Sequence, residues 1–237
     1  MATSNILSIG KTALNAAQVG ISTTGHNIAN ASTAGYSRQV IVQSAASSQN
    51  FGYGYVGQGT EVSSVTRVYN ELLARQAINS QSVSAGLETY AANMTSIDNM
   101  LSDASAGLNP TLNDFFASVK ALSSNPNDPS TRQTMLSNAQ SLVNRFHSTN
   151  SRLDEIREGI NTQLASSVGL VNTYAKQLSN LNDTIDKAIS ATGNQPNDLL
   201  DQRDQLVTEL SKLIKTTVVP QGQGGYNVFI GNGLPLV

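Results

Sequence analysis

From Pro129 to about Ser190 the sequence has no proline and only two glycines, Gly159 and Gly169. Ala139, Phe146, Leu153, Ile160, Ser167, Tyr174, Leu181 and Ala188 recur every seven residues across that stretch. A companion series starts with Leu142 and Ile156, then changes register to Leu164, Val171, Leu178 and Ile185. An apolar repeat of this period predicts a helix packed along a seam. About 60 residues at about 1.5 Å each make a rod of about 90 Å. An element of that length commits the fold to a mainly α, elongated antiparallel helical bundle around one long central helix. The register change predicts a packing adjustment near 157–164. Two helices in line, broken near Gly159, are the alternative.

The neighbouring segments supply partners for that helix. Residues 69–103 carry Leu73, Leu87, Met94 and Leu101, alternating with Val83, Tyr90 and Ile97. Asn109-Pro110 is expected to break the chain. A short amphipathic helix then follows, with Leu112, Phe115, Phe116, Val119 and Leu122. In the turn 125–129, Asp128 is a candidate N-cap and Pro129 a first helical residue. Ala191-Thr192-Gly193-Asn194-Gln195-Pro196 ends the long helix. A last helix runs from Pro196 or Asn197 to about Lys215, with Leu199, Leu206, Leu210 and Leu213 on its face. Leu101, Leu153, Leu178 and Leu206 are expected to be buried together. The pattern then switches to strands at 216–219 and 226–230, around a Gly222-Gln223-Gly224-Gly225 turn and before Gly231-Asn232-Gly233. So few short strands cannot close a sheet core. A longer protein, with an outer β domain that begins at the end of this sequence, is therefore expected.

The first 30 residues carry a second heptad helix. Leu7, Leu14, Ile21 and Ile28 form its large seam positions, and Gly10, Ala17, Thr24 and Ala31 its small ones. Lys11, Asn15, Gln18 and Ser22 form a polar face. A helix of this kind buries little alone and needs a partner. It ends in Asn27-Ile28-Ala29-Asn30-Ala31-Ser32-Thr33-Ala34-Gly35-Tyr36-Ser37-Arg38-Gln39, where Gly35 can take the positive φ of a turn. Residues 36–68 read as extended, with Val40-Ile41-Val42 and Val62, Val65 and Val68 favouring strands. Between them, 51–59 is Gly-rich with interleaved aromatics, and reads as a hairpin or bulged connector. The expected organisation is 1–35 inner helix and motif, 36–68 extended β connector, 69–216 helical bundle and 217–237 start of a β domain.

Chemistry-bearing constellations are few. Gly10-Lys11-Thr12 lacks the glycine that a phosphate loop needs at Asn5, and lacks a preceding strand. His26 and His147 lie far apart in sequence. Asp154, Glu155 and Glu158 have no further ligand nearby, so a solvated face is expected rather than a metal site. Asp201, Arg203 and Asp204 are expected to fan around a helix and pair with neighbouring helices, not to converge. No nucleophile motif is present. These readings predict a non-enzyme with no catalytic residue, metal or cofactor. A net charge of −2 offers no basic footprint for nucleic acid. The sequence has no cysteine, which excludes disulfides and thiolate metal sites. No apolar run reaches the length of a membrane span, and the N-terminus lacks the pattern of a cleaved signal. A helical-bundle sensor remains an alternative reading, and it would need a membrane segment elsewhere.

Ala16-Ala17-Gln18, then Asn27-Ile28-Ala29-Asn30, then Thr33-x-Gly35-Tyr36 resemble the start of the bacterial flagellar axial proteins: the rod, hook and hook-associated proteins. Ala34 stands where that family often has proline. Ser37-Arg38-Gln39 and the segment Asp198-Leu199-Leu200-Asp201-Gln202-Arg203-Asp204-Gln205-Leu206 resemble its hook-associated branch, so another axial protein of hook or rod type is the close alternative. The resemblance implies a structural protein that polymerises helically at the hook–filament junction. It also implies uncleaved type III export, an extracellular location and no membrane partner. Implied partners are its own copies, hook protein, the second junction protein, the export apparatus and a dedicated chaperone that acts through a C-terminal part. It further implies that Asn27, Ile28, Asn30, Gly35, Tyr36 and Arg38 form an assembly motif, and that Leu7, Leu14, Ile21 and Ile28 form an inner seam.

Overall fold

The computed structural model describes residues 2–103, 107–221, 224–231 and 233–237. Gly222, Gln223 and Asn232, named above in turns, lie outside the described residues. The element order is α1 (Ala2–Ala29), β1 (Gln39–Ala45), β2 (Gln49–Asn50), β3 (Tyr55–Val56), β4 (Thr60–Arg67) and α2 (Glu71–Ser102). It continues with α3 (Leu108–Ser124), α4 (Pro129–Thr192), α5 (Asn197–Leu213), β5 (Thr216–Pro220), β6 (Tyr226–Ile230) and β7 (Leu234–Pro235). The fold is mainly α, with the N-terminal helix, the β connector, the long helix and the closing strands in the expected order.

Helix α4 is continuous over 64 residues. The break considered near Gly159 does not occur, because one glycine costs a helix only about 1 kcal/mol. Its start is capped as expected, with the Ser130 N–H donating to Asp128 Oδ1 at 2.9 Å. The break expected at Asn109-Pro110 lies earlier. Pro110 sits inside the first turn of α3, where its missing N–H costs nothing. The turn is made at Gly107 instead. Its N–H bonds Asp103 O at 2.7 Å, and a Cβ there would lie 2.8 Å from Leu101 O.

The chain forms two compact units: Met1–Val83 with Val171–Val237, and Ser84–Leu170. In the first, Leu178, Val207, Leu210 and Val228 form a buried core, flanked by Ile78, Tyr174 and Leu206. Strands β5, β6 and β7 form an antiparallel sheet in that order. β1 pairs antiparallel with β4, with a bulge between Val42 and Gln43. Helix α1 lies on this hairpin by a face that carries Ile9, Thr12, Ala16 and Gly20, and not by the expected small seam, since Gly10, Ala17, Thr24 and Ala31 are exposed. Ala16 is buried, and a Cβ on Gly20 would touch Ile41 Cδ1 at 3.4 Å. The large heptad residues face the other way: Leu7, Leu14, Ile21 and Ile28 are 70–75 % exposed.

The second unit contains the rest of α2, all of α3 and the first part of α4. Asn138 Nδ2 donates to Asp114 O at 3.2 Å, tying α4 to α3. Its apolar seam is poorly covered. Leu101 and Leu153 are exposed, so the expected common burial with Leu178 and Leu206 is not found. Leu178 is fully buried and Leu206 packs against its cluster. Those two lie in the unit where α5 and a sheet add covering layers; the other two lie in a unit whose described elements are all helices.

Candidate functional site: an elbow latched to a helix

Helix α1 stops through its own amides. The Asn30 N–H bonds His26 O at 3.1 Å, and its side chain donates to the same oxygen at 3.1 Å. Thr33 Oγ1 donates to Asn30 Oδ1 at 3.2 Å. Such side-chain bonds satisfy groups that a helix end leaves open. Gly35 then turns the chain at φ 79°, as expected for a conformation that L side chains adopt only at a cost.

Asn27 holds the two arms of this elbow together. Its amide imitates a strand edge towards Gln39, donating to Gln39 O at 2.8 Å and accepting from the Gln39 N–H at 2.8 Å. Tyr36 Oη donates to the same Oδ1 at 2.7 Å. The Tyr36 ring meets the His26 ring edge-on at 5.5 Å. Burial, followed by Asp198 and Asp201, pushes the Tyr36 hydroxyl up from its ordinary value, so it remains a neutral donor.

Helix α5 latches this elbow from outside. Asp201 Oδ2 accepts from the Ser37 N–H at 2.8 Å, and Asp198 Oδ1 accepts from Gln39 Nε2 at 2.8 Å. His26 Nε2 lies 3.6 Å from the same Asp198 oxygen. Arg67, at the end of β4, reaches Asp201 Oδ1 at 2.9 Å and Asp204 Oδ2 at 2.5 Å. Asn197 Nδ2 adds a bond to Val65 O at 2.8 Å. Burial pulls the Arg67 guanidinium down, but Asp204 and Asp201 outweigh it and hold it above its ordinary value.

The expectation for the acidic residues of α5 is therefore corrected. Asp201 and Asp204 stand three residues apart on one helical face and converge on a single cation, which comes from a strand and not from a neighbouring helix. Only Arg203 fans away. Its guanidinium stacks 3.4 Å from the Tyr226 ring centroid and donates to Gly224 O. Tyr69 lies under the Arg67 guanidinium, and burial and then Asp204 push the phenols of Tyr69 and Tyr226 upward. Asn182 brackets the Tyr226 backbone with bonds of 2.8 and 3.2 Å.

The singled-out residues thus occupy different places. Asn27, Asn30, Gly35 and Tyr36 form the elbow, and Asp198, Asp201 and Asp204 form its latch. Leu200 is buried in α5, whereas Gln202 is exposed and Leu199 half-buried. Ile28 and the seam residues Leu7, Leu14 and Ile21 face outward. Arg38 is exposed, with no ion pair from its side chain among the described residues. Arg67, Tyr69, Asn182 and Tyr226 were not anticipated, because each takes its role from a contact distant in sequence. Beside the latch lies a groove of about 680 Å³, lined among others by Ala34, Tyr36, Asn180, Leu181, Asp198 and Leu206. Among the described residues, no cluster of His, Cys, Asp or Glu could hold a metal ion. Nor is any described helix long and apolar enough to cross a membrane.

Residues 7–36, which span most of α1 and its elbow, match the family model described as flagella basal body rod protein. Residues 94–237 match the model described as flagellar hook-associated protein FlgK helical domain. The chain belongs to the family of flagellar hook-associated protein 1, FlgK. It is 41 % identical over 235 residues to that protein of Salmonella typhimurium, covering 99 % of this chain and 42 % of the relative. It is 38 % identical to the Escherichia coli protein, again over 99 % of this chain and 43 % of the relative. The Bacillus subtilis protein is 33 % identical over 92 % of this chain and 45 % of its own length. A solved structure of the flagellar hook junction protein FlgK from Burkholderia pseudomallei superposes with a TM-score of 0.62 at 34 % identity, covering 69 % of this chain and 28 % of that one. The chain spans less than half the length of the curated relatives it matches.

Proposed function

We propose that this chain is part of a structural axial protein that assembles helically at the hook–filament junction of the bacterial flagellum. The observation that carries the reading is the division of labour on α1. One face is fixed to the hairpin and, through the elbow, to α5. The other presents Leu7, Leu14, Ile21 and Ile28 to solvent as a bare apolar stripe. Such a face on a soluble chain marks an interaction surface, and head-to-tail contacts between copies generate an open tube.

In this reading Asn27, Asn30, Gly35 and Tyr36, latched by Asp198 and Asp201, set the angle between an inner helix, 1–35, and an outer helical domain, 69–216. Residues 36–68 connect the two, and 217–237 open an outer β domain. Arg38 and the stripe serve contacts between subunits. The partners are further copies, hook protein and the second junction protein. The protein is exported, with a chaperone acting on its C-terminal part, and does no chemistry. The test is complementation of a strain that lacks its own hook-associated protein 1, using the full protein of this chain. Restored swarming, with the protein located by immunogold between hook and filament, is the expected outcome. Protein that is exported but absent from the flagellum would overturn the reading.

A further inference from the structure

The tip of the β connector is an uncharged aromatic knob. No charged residue lies between Arg38 and Glu61. At the tip, Phe51 and Tyr53 stack with centroids 6.0 Å apart. Tyr53 is 85 % exposed and Tyr55 75 % exposed. The tip is shaped for display. The Phe51 N–H bonds Gly54 O at 3.0 Å, and the Gly52 N–H bonds Asn50 Oδ1 at 2.9 Å. Gly52 and Gly54 take positive φ, and nothing stands within 4 Å of a Cβ at either. The hydroxyls of Tyr53 and Tyr55 make no hydrogen bond among the described residues.

The groove beside the latch has the complementary chemistry. Leu181, Leu206 and Ala34 give it an apolar surface, and Asn180 and Asp198 supply acceptors. No lysine or arginine lines it. Asp198 uses Oδ1 for Gln39 and His26, while Oδ2 accepts no hydrogen bond among the described residues, and the side chain is 64 % exposed. Its volume of about 680 Å³ falls in the range that takes ring-sized ligands. A phenol offers such a site an apolar body and one donor.

Knob and groove belong to opposite ends of one hairpin. The base, Gln39 opposite Arg67, is held at the latch. β1 runs seven residues from that base towards the tip, six steps and about 20 Å at about 3.3 Å per residue. A chain therefore does not fill its own groove with its own tip. A projection at one end and a socket at the other form a heterologous pair, which propagates along a row of subunits without closing.

We infer that the Phe51–Tyr53–Tyr55 tip of one copy docks in the Asn180–Leu181–Asp198–Leu206 groove of the next. This contact rests on the helical assembly proposed above and names one of its interfaces.

Because the chain has no cysteine, paired thiols can be placed without background from it. The full protein is made with Gln49→Cys, exposed beside the tip, and Gln202→Cys, at the edge of the groove, together and with each alone, so that the docking side chains stay in place. Flagella carrying each variant are isolated and treated with a short bismaleimide. The double variant is expected to give a ladder of trimers and larger species, whereas either single variant stops at dimers. A double variant that is incorporated but yields no species above the dimer overturns the contact and leaves the assembly reading intact. Wild-type protein absent from the flagella sinks the assembly reading itself. A second measurement uses Tyr53→Ala with Tyr55→Ala, at the open tip where folding is not at stake. At least a tenfold drop in incorporation at equal export is expected, and unchanged incorporation overturns the contact.

Discussion

The two ends of α4 carry the same seven-residue repeat and are covered very differently. In its C-terminal part Leu178 and Ile185 are fully buried. In its N-terminal part Phe146, Leu153, Ile160 and Leu164 stay exposed. Periodicity is a statement about which side chains share a face, and burial depends on what lies against that face. Around Leu178 the chain brings Val207 and Leu210 from α5 and Val228 from β6. In the unit of Leu153 the described elements are helices, and no strand is among them. A repeat read from sequence therefore locates a seam without saying how dry the seam is.

The sharpest test of this contrast removes a cation from each unit. Arg67→Ala leaves Asp201 and Asp204 without their buried partner, and about 3–5 kcal/mol should be lost from the first unit. Arg157, exposed and paired with Asp154 at 3.2 Å in the second unit, should cost less than about 1 kcal/mol on the same change. Urea unfolding of both variants measures the difference, and equal losses would break the comparison.

Next in size is the seam itself. Leu178→Ala should cost about 2–5 kcal/mol. Leu164, 63 % exposed, should cost no more than about 0.5 kcal/mol on the same change. Similar midpoints for the two variants would mean that the seam is covered equally along its length.

Gly35→Val should have a smaller and more local effect, about 1–3 kcal/mol. The new side chain must take φ 79° and meet Gln205 Oε1 at 2.6 Å. Hydrogen exchange should quicken at the elbow while amides of 171–192 keep their protection. Incorporation into flagella should fall although export continues. Normal filaments and motility would make the elbow a tolerant linker.

The smallest effect is chemical and depends on pH. Tyr69 and Tyr226 are raised in the folded chain, so folding favours their neutral form. That contribution is fully present below about pH 10, the value in the unfolded chain. It is lost as pH rises through the higher folded values. Tyr69→Phe should change stability at neutral pH by about 1 kcal/mol or less and flatten the loss above about pH 10. A variant with the same alkaline slope as wild type would place the sensitivity elsewhere.

How much of this was legible in the sequence follows from how far each feature reaches along the chain. The helices and the cap at Asp128 depend on neighbours within a few residues, and they stand close to where periodicity and turn chemistry put them. Gly35 was legible for the same reason. The latch was not. Asp201 and Asp204 show in sequence only as acidic helix residues, and nothing within ten positions of either announces Arg67. Pro110 misled because a proline is equally at home before a helix and inside its first turn. The residues of both ends of the latch were found as two separate motifs; that they touch is a property of the fold alone.

The stretch of connector without charge, from Gln39 to Thr60, has one more consequence. Interfaces between fully charged groups weaken as ions crowd around them, and at about 1 M salt the reach of such attraction shrinks to about 3 Å. A joint that depends on aromatic rings and phenol hydroxyls contains no pair of opposite full charges for those ions to separate. Contacts made through this connector would hold with much the same strength in fresh water and in brine.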